Sequence, residues 1–317
     1  MTGNKEDNNL LILLGSTGVG KTDISIKLAK KLPDIEIISA DSMQIYKYMD
    51  IGTAKPNNNI LKTIKHHMID IADPAENFDV IQYSKLATKI ILDIFKRGKI
   101  PILIGGSGLY ISSIIEPIFS GPNKDSIYRE ILEEESKIYG KEYLYNKLVK
   151  IDPISALKIN SNDLKRIIRA LEVYKSTGKT ISYLQKKAYH KNAKFKYQII
   201  GLKRNREKLY QKINSSVDKM IKDGLIEEVK MLRVKGYNTK LNSMQGLGYK
   251  QINKYLDSEY DQETAINLIK RDTRRYAKRQ MTWFNHKIKN IEWIDLDNYN
   301  EEEIISKIKN KMVFEKI

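Results

Sequence analysis

The chain has 317 residues and a hydrophobic content of 41%, enough to bury a large core in one sizeable domain with an insertion or in two domains. Its 56 Lys and Arg against 39 Asp and Glu give a net charge of +17, which suits a polyanion such as nucleic acid but is equally explained by a compositional bias toward lysine. The absence of cysteine excludes disulfides, thiol catalysis and cysteine-ligated zinc, and four histidines leave little material for other transition-metal sites.

No apolar run in the sequence approaches the roughly 20 residues that span a bilayer. Residues 1–9 are polar and lack the apolar region of a signal peptide. We therefore predict a cytoplasmic protein without a membrane partner.

The first predicted strand, residues 10–14, runs into a glycine-rich segment that has the Gly-x-x-x-x-Gly-Lys-Thr pattern of a phosphate-binding loop. An amphipathic helix with Ile24, Leu28 and Leu32 on one side is predicted to follow it. The backbone N–H groups of such a loop and the positive end of the helix bind a diphosphate, while the lysine adds a charge and the threonine can ligate Mg²⁺. The predicted phosphate site comprises Gly15, Ser16, Thr17, Gly18, Val19, Gly20, Lys21 and Thr22, with Thr22 as the protein's ligand to an Mg²⁺ cofactor.

Two further apolar runs, residues 35–39 and 100–104, are typical of buried parallel strands. A helix is predicted between them over residues 83–96, with Leu86, Ile90, Ile91, Ile94 and Phe95 on one side. This alternation predicts an α/β fold, a P-loop NTPase-like parallel sheet flanked by helices. Ligands collect at the carboxyl ends of parallel strands, so we expect the phosphate loop, Asp41 and the Gly105-Gly106-Ser107-Gly108 turn to meet in one pocket.

Asp41 directly follows the second predicted strand and is the best candidate for a general base or an Mg²⁺ partner. The alternative is a helix N-cap, a position that both Asp41 and Ser42 favour. Residue type and spacing leave both interpretations open. The pair His66-His67 is interpreted as structural, because no other metal ligands lie near it in the sequence.

From residue 116 the pattern changes to long, charged helices, interrupted at Gly121-Pro122, Gly140 and Asp152-Pro153, until a strand is predicted over residues 197–202. We therefore predict an all-helical insertion domain over residues 116–196. The P-loop-like core then comprises residues 1–115 and 197–317. A late helix, predicted over residues 264–284, has a basic side formed by Arg271, Arg274, Arg275 and Lys278, which is either an RNA surface or a solvated face.

Ordered sequence blocks from about residue 10 to residue 284 closely resemble the tRNA dimethylallyltransferase family. The blocks are the phosphate loop, residues 41–47 (Asp-Ser-Met-Gln-Ile-Tyr-Lys), 49–56 (Met-Asp-Ile-Gly-Thr-Ala-Lys-Pro), 66–70 (His-His-Met-Ile-Asp), 105–110 (Gly-Gly-Ser-Gly-Leu-Tyr), 162–173 with 177–179, 246–250 (Gly-Leu-Gly-Tyr-Lys) and 273–283.

The resemblance implies transfer of a dimethylallyl group from dimethylallyl diphosphate to the N6 amine of the adenosine 3′-adjacent to the anticodon, in tRNAs that read codons beginning with U. It implies that Asp41 takes the proton from that amine, while Lys21, Thr22 and Mg²⁺ stabilise the leaving diphosphate. The expected protein is a monomer whose insertion clasps the anticodon stem loop. The residues implied to contact tRNA are Asp41, Ser42, Met43, Gln44, Ser107, Arg129, Lys165, Arg166, Ile167, Ile168, Arg169, Gly248, Tyr249 and Lys250.

The chain departs from the family pattern at Ser216, where the family usually has an arginine associated with the diphosphate. Losing such a charge-assisted hydrogen bond costs about 1.5–3 kcal/mol unless another group replaces it, and Lys212 and Arg206 are the candidate replacements.

Three alternatives remain open. A phosphate-loop kinase of nucleosides or nucleotides would share the loop and Asp41 but would use ATP. Prenyl transfer to free AMP, ADP or ATP would share the chemistry but not the RNA. A weakly active RNA-binding paralogue is favoured only by Ser216.

Overall fold

The computed structural model describes residues 9–116, 119, 121–188 and 195–312. The chain divides into two compact units, one formed by Met1–Ile115 with Lys194–Ile317 and the other by Glu116–Ala193. The second unit lies within the predicted insertion, residues 116–196.

The first unit is built on a parallel β-sheet. Its described strands are β1 (Asn9–Gly15), β2 (Ile35–Ala40), β3 (His66–His67), β4 (Ile100–Gly105), β5 (Lys196–Lys203) and β6 (Glu292–Asp295). They lie in the order β3-β2-β4-β1-β5-β6, and all paired neighbours are parallel. The predicted parallel α/β sheet is confirmed. Strands β3 and β6 were not predicted, because two and four residues are too few to show a periodicity.

Fourteen α-helices lie in the described part of the chain. They are α1 (Lys21–Lys31), α2 (Asn58–Thr63), α3 (Val80–Lys96), α4 (Gly108–Ile115), α5 (Ser126–Tyr139), α6 (Lys141–Ile151), α7 (Pro153–Ala156), α8 (Leu164–Thr177), α9 (Ile181–Ala188), α10 (Arg206–Lys222), α11 (Leu225–Val234), α12 (Tyr249–Leu256), α13 (Gln262–Lys287) and α14 (Glu301–Met312).

Both faces of the sheet are covered. Alternate residues of β1 enter two separate apolar clusters: Leu10 and Ile12 pack with α3 on one face, and Leu11 and Leu13 pack with α1 and α14 on the other. Burial on both faces explains why the strands read as continuous apolar runs rather than as an alternating pattern. Each fully buried leucine or isoleucine contributes about 1.5–3 kcal/mol relative to exposure.

The buried side of helix α3 differs from the predicted apolar side at Leu86. Asp79 caps its start, accepting hydrogen bonds from the backbone of Ile81 and Gln82. Its buried side is formed by Tyr83, Ala87, Ile91 and Ile94. Leu86 was predicted on this side but is 37% exposed, because its position on the helix faces away from the sheet.

The chain leaves the first unit after α4 and returns to it as β5. Strand β5 pairs with β1 from Asn9↔Lys196 to Gly15↔Leu202. The strand that carries the phosphate loop is therefore flanked by β4, from before the second unit, and by β5, from after it.

The described residues of the second unit form helices α5 to α9 and no strand. Helices α5, α6 and α8 share an apolar core that includes Leu132, Leu144, Leu148 and Ile167. In neither unit does the described chain contain a helix that is both long and apolar enough to cross a membrane.

Candidate active site

The phosphate loop connects β1 to α1 and has the geometry that its glycines predict. Gly18 has a φ of +77°, and a Cβ there would lie 2.6 Å from Cγ1 of Ile213 on α10. Only glycine therefore allows α10 to pack this closely on the loop. The Nζ of Lys21 donates to the carbonyl oxygens of Gly15, at 2.9 Å, and Ser16, at 2.8 Å, which closes the loop around the ammonium group.

A cavity of about 970 Å³ opens beside this loop. The loop lines it through Thr17, Gly18, Gly20, Lys21 and Thr22, and the ends of β2 and β4 contribute Asp41 and Gly105. Its other described walls include Ser42, Met43, Gln44, the segment 50–58, Lys212, Ser216, Gly248, Tyr249 and Tyr276. The structure thus brings the phosphate loop, Asp41 and the turn after β4 to one edge of the sheet.

Asp41 both stabilises a turn and faces the cavity. Its Oδ1 accepts hydrogen bonds from the backbone N–H groups of Met43, at 2.8 Å, and Gln44, at 3.4 Å. Among the described residues no donor bonds to Oδ2. One carboxylate oxygen therefore holds a turn rather than the start of a helix, which the N-cap alternative had predicted, and the other is available to a ligand.

Among the titratable groups that line the cavity, Lys21 and Tyr276 both have pKa values that are shifted by burial and by the charge of Asp41. Enclosure by the loop lowers the pKa of Lys21 to about 8, and the negative charge of Asp41 opposes that change only in part. Burial raises the pKa of Tyr276 to about 12, with a further contribution from Asp41, while hydrogen bonds with Ser107 and Gln280 act in the opposite direction. An ammonium group with a lowered pKa gains most from the arrival of a phosphate anion.

Ser107 joins the turn after β4 to the turn after β2. Its Oγ accepts from the backbone N–H of Ser42 at 3.0 Å and donates to the Oγ of Ser42 at 3.3 Å. Ser107 itself is only 9% exposed, so its described role is to hold these two strand ends together.

The residues around Ser216 show which cation lies near the loop. Ser216 lines the cavity on α10, and Lys212, one turn earlier, lines it as well. The Nζ of Lys212 lies 3.4 Å from where a Cβ on Gly20 would be and 3.8 Å from Oδ2 of Asp23. Arg206, the other predicted replacement, instead stacks on the ring of Tyr210 and is not among the described residues that line the cavity. Lys212 is therefore the better placed of the two.

Thr22 fits the role of an Mg²⁺ ligand that works together with a substrate. It is exposed at the start of α1 and lines the cavity. No group of three or more histidine, aspartate or glutamate side chains that could hold a metal exists among the described residues. Mg²⁺ usually keeps several waters and is shared with substrate phosphates, so an ion here would be held by the Thr22 hydroxyl together with a bound phosphate group.

Sequence reasoning missed Glu228, which holds a wall of the cavity. Its carboxylate accepts backbone hydrogen bonds from Asp50, Ile51 and Gly52 at 2.8–3.1 Å, and one from the hydroxyl of Tyr249 at 2.6 Å. Glu228 lies in the first turn of α11, in the ordinary helical sequence Gly-Leu-Ile-Glu-Glu. Nothing in that sequence indicates that its hydrogen-bond partners include residues 50–52, 176 to 178 positions earlier in the chain.

Four residues predicted to contact tRNA have buried side chains, Ser107 at 9% exposure and three others. Tyr249 is 0% exposed, Ile167 0% and Ile168 3%. In this conformation packing leaves these side chains little surface for RNA. Contact with tRNA stays a prediction for them. Of the neighbouring residues, Lys165, Arg166 and Lys250 are exposed and Gly248 is buried.

In the second unit, Arg129 and Arg169 both bind the carboxylate of Glu172. The Nε and Nη2 atoms of Arg129 each lie 2.7 Å from a carboxylate oxygen, and Nη1 of Arg169 lies 2.5 Å from Oε2. Both guanidinium groups thus have a structural role that the sequence does not reveal. Contact with tRNA stays a prediction for these two residues.

A parallel sheet with a Gly-x-x-x-x-Gly-Lys-Thr loop at its β1–α1 turn, and with polar side chains at the adjoining strand ends, defines a protein of the P-loop-like α/β class. The sequence profile of the IPP transferase family matches residues 44–287. The chain belongs to this family.

Curated relatives extend the match to the phosphate loop. The tRNA dimethylallyltransferase of Halothermothrix orenii is 48% identical over 305 residues, covering 96% of this chain and 92% of the relative. That of Acetivibrio thermocellus is 49% identical over 301 residues, covering 95% and 96%.

Solved structures resemble the chain along almost its whole length. The tRNA isopentenylpyrophosphate transferase of Bacillus halodurans is 41% identical with a TM-score of 0.69, covering 96% of this chain and 97% of that one. A eukaryotic dimethylallyltransferase acting on tRNA is 30% identical with a TM-score of 0.82, covering 96% and 79%.

Proposed function

We propose that the protein transfers a dimethylallyl group from dimethylallyl diphosphate to tRNA. The observation that carries this proposal is the shared cavity, which is lined by both the phosphate loop and Asp41, whose Oδ2 accepts no hydrogen bond from the described residues. The relatives named tRNA dimethylallyltransferase support the same activity.

The acceptor we propose is the N6 amine of the adenosine 3′-adjacent to the anticodon. The amine nitrogen forms a bond to the allylic carbon, the bond from that carbon to the diphosphate oxygen breaks, and one amine proton passes to Asp41. An aromatic amine becomes acidic only as positive charge develops on its nitrogen, so Asp41 acts chiefly in the transition state. Its Oδ2 needs proximity rather than unusual basicity.

The phosphate loop then holds the leaving group. Lys21 and the loop N–H groups stabilise the negative charge that develops on diphosphate, and Mg²⁺ held by Thr22 supplies further charge neutralisation when bound. The carbonyl oxygens of Gly15 and Ser16 enclose the ammonium group of Lys21, and this burial, which lowers its pKa to about 8, strengthens its interaction with an anion.

We propose that exposed cations in both units bind the RNA backbone. In the second unit these are Lys165 and Arg166, in line with an insertion that clasps the anticodon stem loop. In the first unit they are Lys250 and the α13 residues Arg271, Arg275, Lys278 and Arg279. Arg274, predicted on the same basic side, instead donates to Asn214 at 2.6 Å. We further propose that the protein acts as a monomer in the cytoplasm, where its tRNA substrate is.

The test is incubation with unmodified tRNA, Mg²⁺ and dimethylallyl diphosphate, followed by mass spectrometry of the digested nucleosides. The expected product is N6-dimethylallyladenosine 3′-adjacent to the anticodon in tRNAs that read codons beginning with U. Parallel reactions contain free AMP, ADP or ATP in place of tRNA, or ATP in place of the allyl donor. Prenylated free nucleotides without prenylated tRNA, or phosphoryl transfer from ATP, would overturn the assignment.

A further inference from the structure

One face of α13 lies on the glycine-rich turn that follows β4. Tyr276, Gln280 and Trp283 are four and three residues apart, the spacing of one helix face. Gln280 contacts Gly106, and Trp283 packs directly against Gly108. Of the exposed cations described above, Arg271, Arg275 and Lys278 lie on the opposite side of the same helix.

Gln280 also reaches the phosphate loop. Its Oε1 accepts a hydrogen bond from the backbone N–H of Thr17 at 2.8 Å, and its Nε2 donates to the carbonyl oxygen of Gly106 at 2.9 Å. The side chain is 6% exposed. Because one partner is a donor and the other an acceptor, a single orientation of the amide satisfies both.

The fit at Gly106 leaves no space for a larger residue. A Cβ on Gly106 would lie 2.3 Å from Nε2 of Gln280 and 3.4 Å from the carbonyl oxygen of Gly15. The turn after β4, the first residue of the phosphate loop and the amide of Gln280 therefore meet at one point.

We propose that Gln280 is a positioning residue that fixes the phosphate loop against the turn after β4, so that the loop has its diphosphate-binding shape before the substrate arrives. Binding then does not have to order the loop, so less conformational entropy is lost and the affinity for diphosphate is higher. This inference rests on the proposed function, which supplies the diphosphate. It concerns donor binding, and tRNA affinity is expected to be independent of it.

The first experiment measures the dissociation constant of Mg²⁺-pyrophosphate by calorimetry for the wild-type protein, Gln280→Met and Gly106→Ala. The Gln280→Met variant keeps the volume but removes both hydrogen bonds, and Gly106→Ala displaces the amide while leaving Gln280 in place. A lost hydrogen bond of about 1 kcal/mol corresponds to roughly fivefold in affinity, so we expect roughly 5- to 30-fold weaker binding in both variants. The KM for dimethylallyl diphosphate should rise by a similar factor, with the dissociation constant for tRNA within about twofold.

Ser113→Ala is the control for a merely structural role. Its hydroxyl is buried in the same unit, donates to the carbonyl oxygen of Tyr110 and does not contact the phosphate loop. We expect this variant to lower the melting temperature without changing pyrophosphate affinity. If Gln280→Met and Gly106→Ala behave like Ser113→Ala, with pyrophosphate affinity unchanged, the inference is wrong. A wild-type protein that neither binds pyrophosphate nor uses dimethylallyl diphosphate would instead refute the proposed function.

Discussion

Arg129 and Glu172 form a two-contact ion pair, with both nitrogen-to-oxygen distances at 2.7 Å, around a carboxylate that is fully buried in the helical unit. Burial alone would raise the pKa of Glu172, but hydrogen bonds from Arg129 and Arg169 outweigh it and hold the pKa at about 2. The pair therefore joins α5 to α8 from inside the unit.

Removing the arginine should destabilise this unit. We expect Arg129→Ala to cost about 3 kcal/mol of unfolding free energy, because among the described residues the buried carboxylate of Glu172 would keep only Arg169 and the backbone N–H of Asp125 as partners. Urea denaturation followed by circular dichroism measures the change. Lys137→Ala, which breaks a pair with Glu134 on the exposed surface, is the control and should cost less than about 1 kcal/mol. An equal effect of the two substitutions would show that the ion pair between Arg129 and Glu172 does not stabilise the unit.

Acid should weaken the same unit. The folded-state pKa of Glu172 is about 2, below the ordinary value of about 4.3 for an unfolded glutamate. The stabilisation is therefore fully present above about pH 4.3 and is lost as the pH falls toward 2. Comparing the unfolding free energy of wild type and Glu172→Gln between pH 3 and 7 tests this, since the difference should shrink as the pH falls. A difference that is independent of pH would show that the charge of Glu172 is not responsible.

For Asp41→Asn we expect loss of prenyl transfer with the turn preserved. The amide oxygen can still accept the hydrogen bonds from Met43 and Gln44, whereas the group that takes the proton is gone. The rate constant at saturating substrate should fall about 10²- to 10⁴-fold, the usual contribution of a positioned base. Asp41→Ala should lose activity as completely and still bind tRNA. Single-turnover assays measure the rate of prenyl transfer, and filter binding measures the affinity for tRNA. An unchanged rate would rule out Asp41 as the base.

The lowered pKa of Lys21 predicts a pH dependence for pyrophosphate binding. With a pKa of about 8 before an anion binds, the ammonium is charged below pH 8 and loses its proton above it. Apparent affinity should therefore fall up to about tenfold per pH unit above 8, because only the charged form binds the anion well. Lys21→Arg, which stays charged throughout, reports the titration of the ligand itself. Parallel pH profiles for the two proteins would refute the assignment.

The positions of Ser216 and Lys212 indicate how the chain compensates for the absence of the arginine that its family usually has. We expect Lys212→Ala to reduce prenyl transfer about tenfold and Ser216→Arg to increase it by about tenfold, the effect of one charge-assisted hydrogen bond. In the double variant the arginine should restore most of the lost rate. Lys208→Ala, on the same helix but paired with Asp297, is the control and should be neutral. If Ser216→Arg leaves the rate unchanged, Lys212 already replaces the arginine fully.

The sequence predicts the parts of this protein that depend on local pattern. Strands β1, β2, β4 and β5, the phosphate loop and the helical nature of residues after 116 all follow from apolar runs, glycines and helical spacing. The partners of Glu228 and Gln280 do not, because hydrogen bonds between residues far apart in the chain leave no periodic signal. Thr17 and Gln280, for example, are 263 residues apart. The burial of Ile167 and Ile168 was equally hidden, since a family motif marks positions without saying which way their side chains point.

The pairing of β1 with β5 has a consequence for how the protein forms during translation. Gly15, the first residue of the phosphate loop, pairs with Leu202, and the backbone of Leu202 lies close enough to exclude a side chain there. Leu202 is synthesised only after all of the residues of α5 to α9. Helices with local contacts form faster than distant strand pairs, so the helical unit has the opportunity to fold first while β1 still lacks one neighbour.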